Sequence, residues 1–239
     1  MKKADLRGTA FQSLVRQLDL TAMSPSPEGD DPIATIVFSH LLWDASLRKA
    51  EAAFARIRSS LVDYNELRVA LPGEIVDVIG PRYPHALDRA QRLRATLNDL
   101  YRREHRMDIE RLREMGKREV KRYLDTLDGI IPFVSTRVGL LCFDVHGVPV
   151  DAPLQAMLVQ CGAVEESATL SDICGWLNRR VKSGEAATVH AGLLRWLAAT
   201  GTNGVSESTM SAGSPRSRRR GKSTGPKAQG KSTGARRRT

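Results

Sequence analysis

Between Pro32 and about Thr200, apolar residues recur at three- and four-residue spacing, with no long alternating run among them. That is the helix period, so this part of the chain can bury its apolar side chains only as a set of helices. Turn-forming breaks at Pro72-Gly73, Gly80-Pro81, Asp128-Gly129, Gly147-Val148-Pro149 and Ser183-Gly184 cut the pattern into short pieces. The spacing predicts helices near 32–44, 46–61, 63–70, 72–79, 85–104, 108–114, 117–127, 133–145, 152–161, 170–182 and 187–199. A further short helix is expected within residues 1–22 on Leu6, Phe11, Leu14, Val15 and Leu18, ending at Ser24-Pro25-Ser26-Pro27. The fold class is all-α. The organisation read from these breaks is an N-terminal helix and linker over 1–31, a helical domain over 32–200 and a tail over 201–239.

Charge separates the tail from the rest. Of the 37 Lys and Arg residues in the chain, ten lie beyond Gly201 with one acid, Glu207, leaving 27 basic against 26 acidic residues in 1–200. The tail is Ser, Gly, Thr, Lys and Arg, with Val205 and Met210 as its sizeable apolar residues. It cannot bury enough surface to offset the entropy of ordering, so it is expected to be disordered. The clusters Arg218-Arg219-Arg220 and Arg236-Arg237-Arg238, with Lys222 and Lys231, suit a nucleic-acid backbone and have no means of reading bases. Gly225 to Ser232 spells the phosphate-loop pattern letter for letter. That loop needs a buried strand before it and a helix after it, and a tail of this composition offers neither, so no nucleotide cofactor is expected.

Several classes are set aside. No apolar run approaches the ~20 residues that span a bilayer, so no membrane partner is expected. The charged start Met1-Lys2-Lys3-Ala4-Asp5 lacks the apolar stretch of a signal peptide, which points to a cytoplasmic, nucleoid-associated or nuclear protein that is not secreted. Cys142, Cys161 and Cys174 form no CxxC and have no histidine pair at ligand spacing, so neither a metal site nor a disulfide framework is expected. Each sits among apolar residues and reads as buried core sulfur.

The informative stretch runs from Leu124 to Leu154. It reads as a helix, a tight turn at Gly129, an apolar helix, a short loop, and Asp151 opening a third helix. Gly129 permits positive φ and a close backbone approach, and a helix starting after it presents free N–H groups to an anion. Leu127-Asp128-Gly129-Ile130-Ile131-Pro132-Phe133-Val134-Ser135, with Val150-Asp151-Ala152-Pro153, resembles the helix-hairpin-helix and following aspartate of the endonuclease III-like DNA glycosylase superfamily. Val37 to Ala50 is similar to that family's early helix-turn segment, and Ile75 to Gly80 with Arg89-Ala90 is similar to its Gly…Lys-Ala helix, so the resemblance covers roughly 32–200.

The resemblance implies a helix-hairpin-helix glycosylase fold, double-stranded DNA as partner, and DNA contacts from Gly129, Ile131, Ser135 and Arg137 as well as the tail. It implies a catalytic role for Asp151, which can also serve as an N-cap; family members use it in both ways. Four departures bear on function. The family's lyase lysine is replaced by Phe133, which cannot form a Schiff base. The hairpin's second glycine is Ile131, ill suited to positive φ, and the following Pro132 lacks an N–H, so the phosphate grip is expected to be weaker. Leu41 stands where a glutamine near the flipped base is common, and no cysteine follows Cys174, so no iron–sulfur cluster is expected. The implied function is base-excision-repair type: a monofunctional glycosylase, or alternatively a catalytically inactive DNA-binding relative, with a bifunctional lyase third.

Overall fold

The structure is a computed structural model that describes residues 3–18, 20, 28 and 30–201. The expected disorder of the tail, and its arginine and lysine clusters, lie outside the described residues. Among those described, every regular element is helical: α1 (Lys3–Gln17), α2 (Pro32–Leu42), α3 (Leu47–Ser60), α4 (Tyr64–Val69), α5 (Pro72–Ile79), α6 (Ala86–Glu104), α7 (Lys117–Asp125), α8 (Pro132–Phe143), α9 (Ala152–Gln160), α10 (Leu170–Asn178) and α11 (Ala186–Gly201). The segment expected as a helix over 108–114 is a 3-10 turn at Glu110–Glu114. No described helix is long and apolar enough to cross a membrane.

Local chemistry explains the helix starts. Asp31 accepts the N–H of Ile33 at 2.8 Å ahead of Pro32, and Asp63 accepts that of Glu66 at 2.9 Å. Thr169 and Asp172 cap α10 reciprocally, each accepting the other's backbone N–H at 3.1 Å. Each cap satisfies donors that the first helical turn leaves without an intrahelical partner.

The apolar faces gather into two clusters. The first takes its side chains from α2 to α8, among them Phe38, Leu41, Phe54, Ile57, Leu93, Leu97 and Val134. The second joins Phe11, Leu14 and Leu18 of the N-terminal segment to Leu154, Leu158, Ile173, Leu177, Val189 and Leu193. The N-terminal helix thus completes the second core, and the described residues fall within one compact unit. Helix α8 serves both clusters: Phe133, Val134 and Val138 enter the first and Leu140 the second. Nine of its twelve residues are buried, as are all eleven of α2 against which it lies. A helix walled in on most of its circumference offers little side-chain surface to a ligand.

Candidate active site

The hairpin is α7, a turn over 126–131, and α8. Gly129 has φ +73°, and a β-carbon on it would lie 2.5 Å from the carbonyl oxygen of Arg92 and 2.9 Å from Ala95 Cβ. The turn therefore rests directly on the backbone of α6. Two side chains of α6 hold it there. Asp99 accepts the N–H of Asp128 at 3.0 Å. Thr96 Oγ1 lies 2.9 Å from the Asp128 carbonyl and 3.0 Å from that of Arg92, with one proton to give, and accepts from His40 Nε2 at 3.2 Å. His40 is wholly buried; burial first, then Arg89 and Arg92, pushes its pKa down to about 3, so it acts as a neutral donor. Burial alone would raise the Asp99 carboxyl, but the Asp128 N–H, Arg103 at 2.6 Å and Arg102 outweigh it and hold it below the usual carboxylate range.

Asp151 is 5% exposed and caps α9. Its Oδ1 accepts the N–H of Leu154 at 3.1 Å, and its Oδ2 accepts the N–H of Asp44 at 3.3 Å. Asp44 returns the contact by accepting the N–H of Ala152 on Oδ1 at 3.1 Å. The carboxylate thus sits where the chain leaving α2 meets the first turn of α9. Desolvation raises its pKa to about 6; the Leu154 N–H opposes the rise and the negative charge of Asp44 adds to it. A carboxyl group set there can take up and release a proton near neutral pH.

The segment after α2 is fixed from behind by Arg89. Its guanidinium donates to the carbonyls of His40, Trp43 (2.6 Å) and Pro84 (3.2 Å) and lies 5.0 Å from the Tyr83 ring centroid and 5.3 Å from that of Trp43. Tyr83 donates its hydroxyl to the carbonyl of Leu41 at 2.8 Å. Two side chains thereby satisfy the carbonyl end of α2, and the positive charge suits that end of the helix dipole.

Several expected site residues lie elsewhere than their sequence positions implied. Arg137 is buried: it donates to Ser39 Oγ at 2.9 Å, forms an ion pair with Glu28 at 2.5 Å and lies 5.2 Å from the Phe38 ring centroid. Ser135 is also buried, donating to the carbonyl of Pro132 at 3.3 Å. Neither side chain reaches solvent, because the second and third turns of α8 are enclosed by the two clusters. The backbone at Ile131 has φ −114° and its side chain packs into the core, so the position demands no positive φ and isoleucine fits without strain. Phe133 is 3% exposed and meets His190 of α11 edge-on at 6.4 Å. Leu41 is fully buried, and so has no surface for a base. Of the basic residues before the hairpin, Arg111 is bidentate on Glu104 at 2.6 Å and Arg113 pairs with Glu110, whereas Lys117, Arg118 and Arg122 face solvent.

The sulfur chemistry is also placed. Cys142 is buried, but Cys174 is half-buried and Cys161, which follows the last turn of α9, is exposed, so the reading of all three as core sulfur holds for Cys142 alone. A four-thiolate iron–sulfur cluster does not fit a chain with three cysteines. Among the described residues no group of three His, Cys, Asp or Glu side chains is placed to hold a metal ion.

Neither a family model nor a curated protein matches this chain. Solved structures do. An endonuclease III trapped covalently on DNA superposes with a TM-score of 0.58 at 11% identity, over 82% of this chain and 86% of that one. A thermostable thymine-DNA glycosylase gives 0.57 at 13% over the same shares. An 8-oxoguanine glycosylase/lyase from Clostridium acetobutylicum, bound to double-stranded DNA, gives 0.57 at 14% over 72% of this chain and 61% of that one. The fold is that of the helix-hairpin-helix DNA glycosylases. Within that fold, sequence reasoning found Gly129, Phe133 and Asp151 from the motif. It gave no role to Asp44, Asp99, Thr96, Glu28 or His190, each of which also meets a partner on another element.

Proposed function

We propose that this protein is a monofunctional DNA glycosylase of base-excision-repair type, which takes a damaged or mismatched base out of duplex DNA and hydrolyses its N-glycosidic bond. The observation that carries the reading is Asp151: a buried carboxylate, pushed up to about 6, on a DNA-glycosylase fold. In the reaction, the bond between C1′ and the base nitrogen breaks, and the base departs with the bonding pair and accepts a proton. Ionised Asp151 stabilises the positive charge on the sugar and accepts the proton of the water whose oxygen bonds to C1′. Water and side chains suffice, without a cofactor. Phe133 offers no amine to attack C1′, so the product is an abasic site on an unbroken strand. Double-stranded DNA is held through the backbone N–H groups at the turn and the first turn of α8, and through Arg218–Arg220, Lys222, Lys231 and Arg236–Arg238 of the tail.

The test is a base-release assay on duplexes carrying uracil, alkylated, oxidised or mismatched bases, each product scored with and without alkali beside Asp151→Asn. Release that requires alkali for strand breakage, vanishes in the variant and rises with pH through about 6 is expected, since Asp151 acts only when ionised. Breakage without alkali, trapped by borohydride, would show an amine attacking and overturn the assignment. A second reading, a DNA-binding relative without catalysis, draws on the fact that both oxygens of Asp151 already accept backbone N–H bonds. Duplex binding without release from any substrate would establish it.

A further inference from the structure

The first turn of α9 has an unusually complete account of its donors. Ala152 gives its N–H to Asp44 Oδ1 at 3.1 Å, Pro153 has none to give, Leu154 gives its N–H to Asp151 Oδ1 at 3.1 Å, and Gln155 gives its N–H to the Asp151 carbonyl at 2.9 Å. An N-cap alone would satisfy Leu154 and Gln155. The extra partner is Asp44, which arrives from the end of α2, 108 residues away in the chain, with its backbone in the left-handed region at φ +49°. That conformation lets one residue present its N–H to Asp151 Oδ2 and its carboxylate to Ala152 together. Two acidic residues therefore clasp one helix end, each accepting from the backbone next to the other.

We propose that Asp44 is a positioning residue for Asp151, fixing the carboxylate through its own N–H while its side chain locks the first turn of α9. The inference rests on the glycosylase reading for its consequence, but the clasp itself is a property of the folded chain. Its geometry assigns each oxygen of Asp151 a separate anchor, Leu154 for Oδ1 and Asp44 for Oδ2, so the carboxylate cannot rotate about its own axis without losing both. Each oxygen keeps a second lone pair with which to accept a further hydrogen bond.

The clasp has an electrostatic side. The amino end of a helix carries a partial positive charge that favours an ionised carboxylate and weakens it as a base. The Asp44 carboxylate, bonded to the first N–H of that same end, offsets this field and adds like-charge repulsion; both act to raise Asp151, on top of the larger effect of burial. The other charged group facing the clasp is Arg89 of α6, which interacts with Asp44 and is itself engaged on the carbonyls of His40, Trp43 and Pro84.

Asp44→Asn separates the parts. Asparagine tolerates the left-handed backbone and keeps a carbonyl for the Ala152 N–H, so only the charge is lost. In the full-length protein, the titration of Asp151 followed through its carboxyl carbon by NMR should then fall by about 0.5–1 pH unit. The acid limb of the base-release profile should move the same way, with KM for duplex unchanged. Asp44→Ala also removes the acceptor and, where melting shows it folded, should lower kcat at pH 8 by about 10–100-fold with little change in KM. A folded Asp44→Ala whose Asp151 midpoint and kcat both match those of the parent protein overturns the proposal. A midpoint that falls in a protein releasing no base from any duplex upholds the clasp and overturns the glycosylase reading, so the two failures are distinguishable.

Discussion

At the scale of single residues, Gly129 and Asp99 show how the hairpin is held. Gly129 is excluded from substitution twice, by φ +73° and by a backbone oxygen 2.5 Å from where a β-carbon would go. Left-handed backbone costs a side chain about 1–2 kcal/mol, and overpacking against a rigid helix costs about 1–3 more. Gly129→Ala should therefore cost about 2–5 kcal/mol of stability, seen as a lower urea midpoint at unchanged m-value, and duplex binding should weaken with it. An unchanged midpoint would mean that the hairpin does not rest on α6. Ile131 marks the contrast: its backbone is extended, so the position that resembles a second family glycine makes no such demand here. Asp99, from the other side, holds the turn as an anion. With its folded pKa depressed, its contribution is present above the ordinary carboxylate value and is lost as pH falls through the folded one.

At the scale of elements, the pairing of α2 with α8 carries a buried charge that the glycosylase-like motif gives no reason to expect. Arg137 and Glu28 are 3% and 1% exposed in their side chains, and Arg137 also reaches Ser39 of α2. The ion pair ties the segment between α1 and α2 to the middle of the hairpin's second helix. Removing one partner strands a buried charge, so Glu28→Gln should cost about 3–5 kcal/mol in chemical denaturation, whereas Glu28→Leu combined with Arg137→Leu should recover most of that loss. A single substitution that costs nothing would place Arg137 in contact with water. The same pair shows where sequence stops being legible. Helix positions followed from period, caps and Gly/Pro breaks, because those signals are local: the expected 72–79 helix is Pro72–Ile79, and 85–104 is Ala86–Glu104. Segment 108–114 forms a single 3-10 turn because its buried residues are Ile109 and Leu112 alone, and no longer apolar face exists to propagate an α-helix. The family resemblance implies a DNA contact for Arg137. Its burial depends on Glu28, 109 residues distant, and on a second cluster packed against α8, neither of which leaves a local trace. Asp151 was legible as a motif residue, while its clasp with Asp44 was not.

At the scale of the whole molecule, the distribution of charge assigns different work to different parts of the chain. Residues 1–200 are close to neutral, and within them Arg111, Arg113 and Lys121 are engaged with Glu104, Glu110 and Asp125, which leaves Lys117, Arg118 and Arg122 of α7 as the solvent-facing cations beside the hairpin. The side chains of Ser135 and Arg137 are buried, so on the glycosylase reading α8 has backbone N–H groups at its start to offer DNA and no cation from these positions. Ten basic residues beyond Gly204, against Glu207, then hold most of the excess positive charge. If they neutralise DNA phosphates, a chain ending at Gly204, where the compact unit stops, keeps its melting temperature but binds duplex DNA more weakly. Its log K against log[salt] slope should be shallower by about 0.9 for each phosphate no longer contacted. Because such contacts carry no base information, the loss should be the same for damaged and undamaged duplexes; with base release it should appear in KM, with kcat at saturating DNA unchanged. Equal affinity and equal slope for the two chains would return the whole of the DNA interface to the helical body, where Lys117, Arg118 and Arg122 on the open face of α7 are the first side chains to replace.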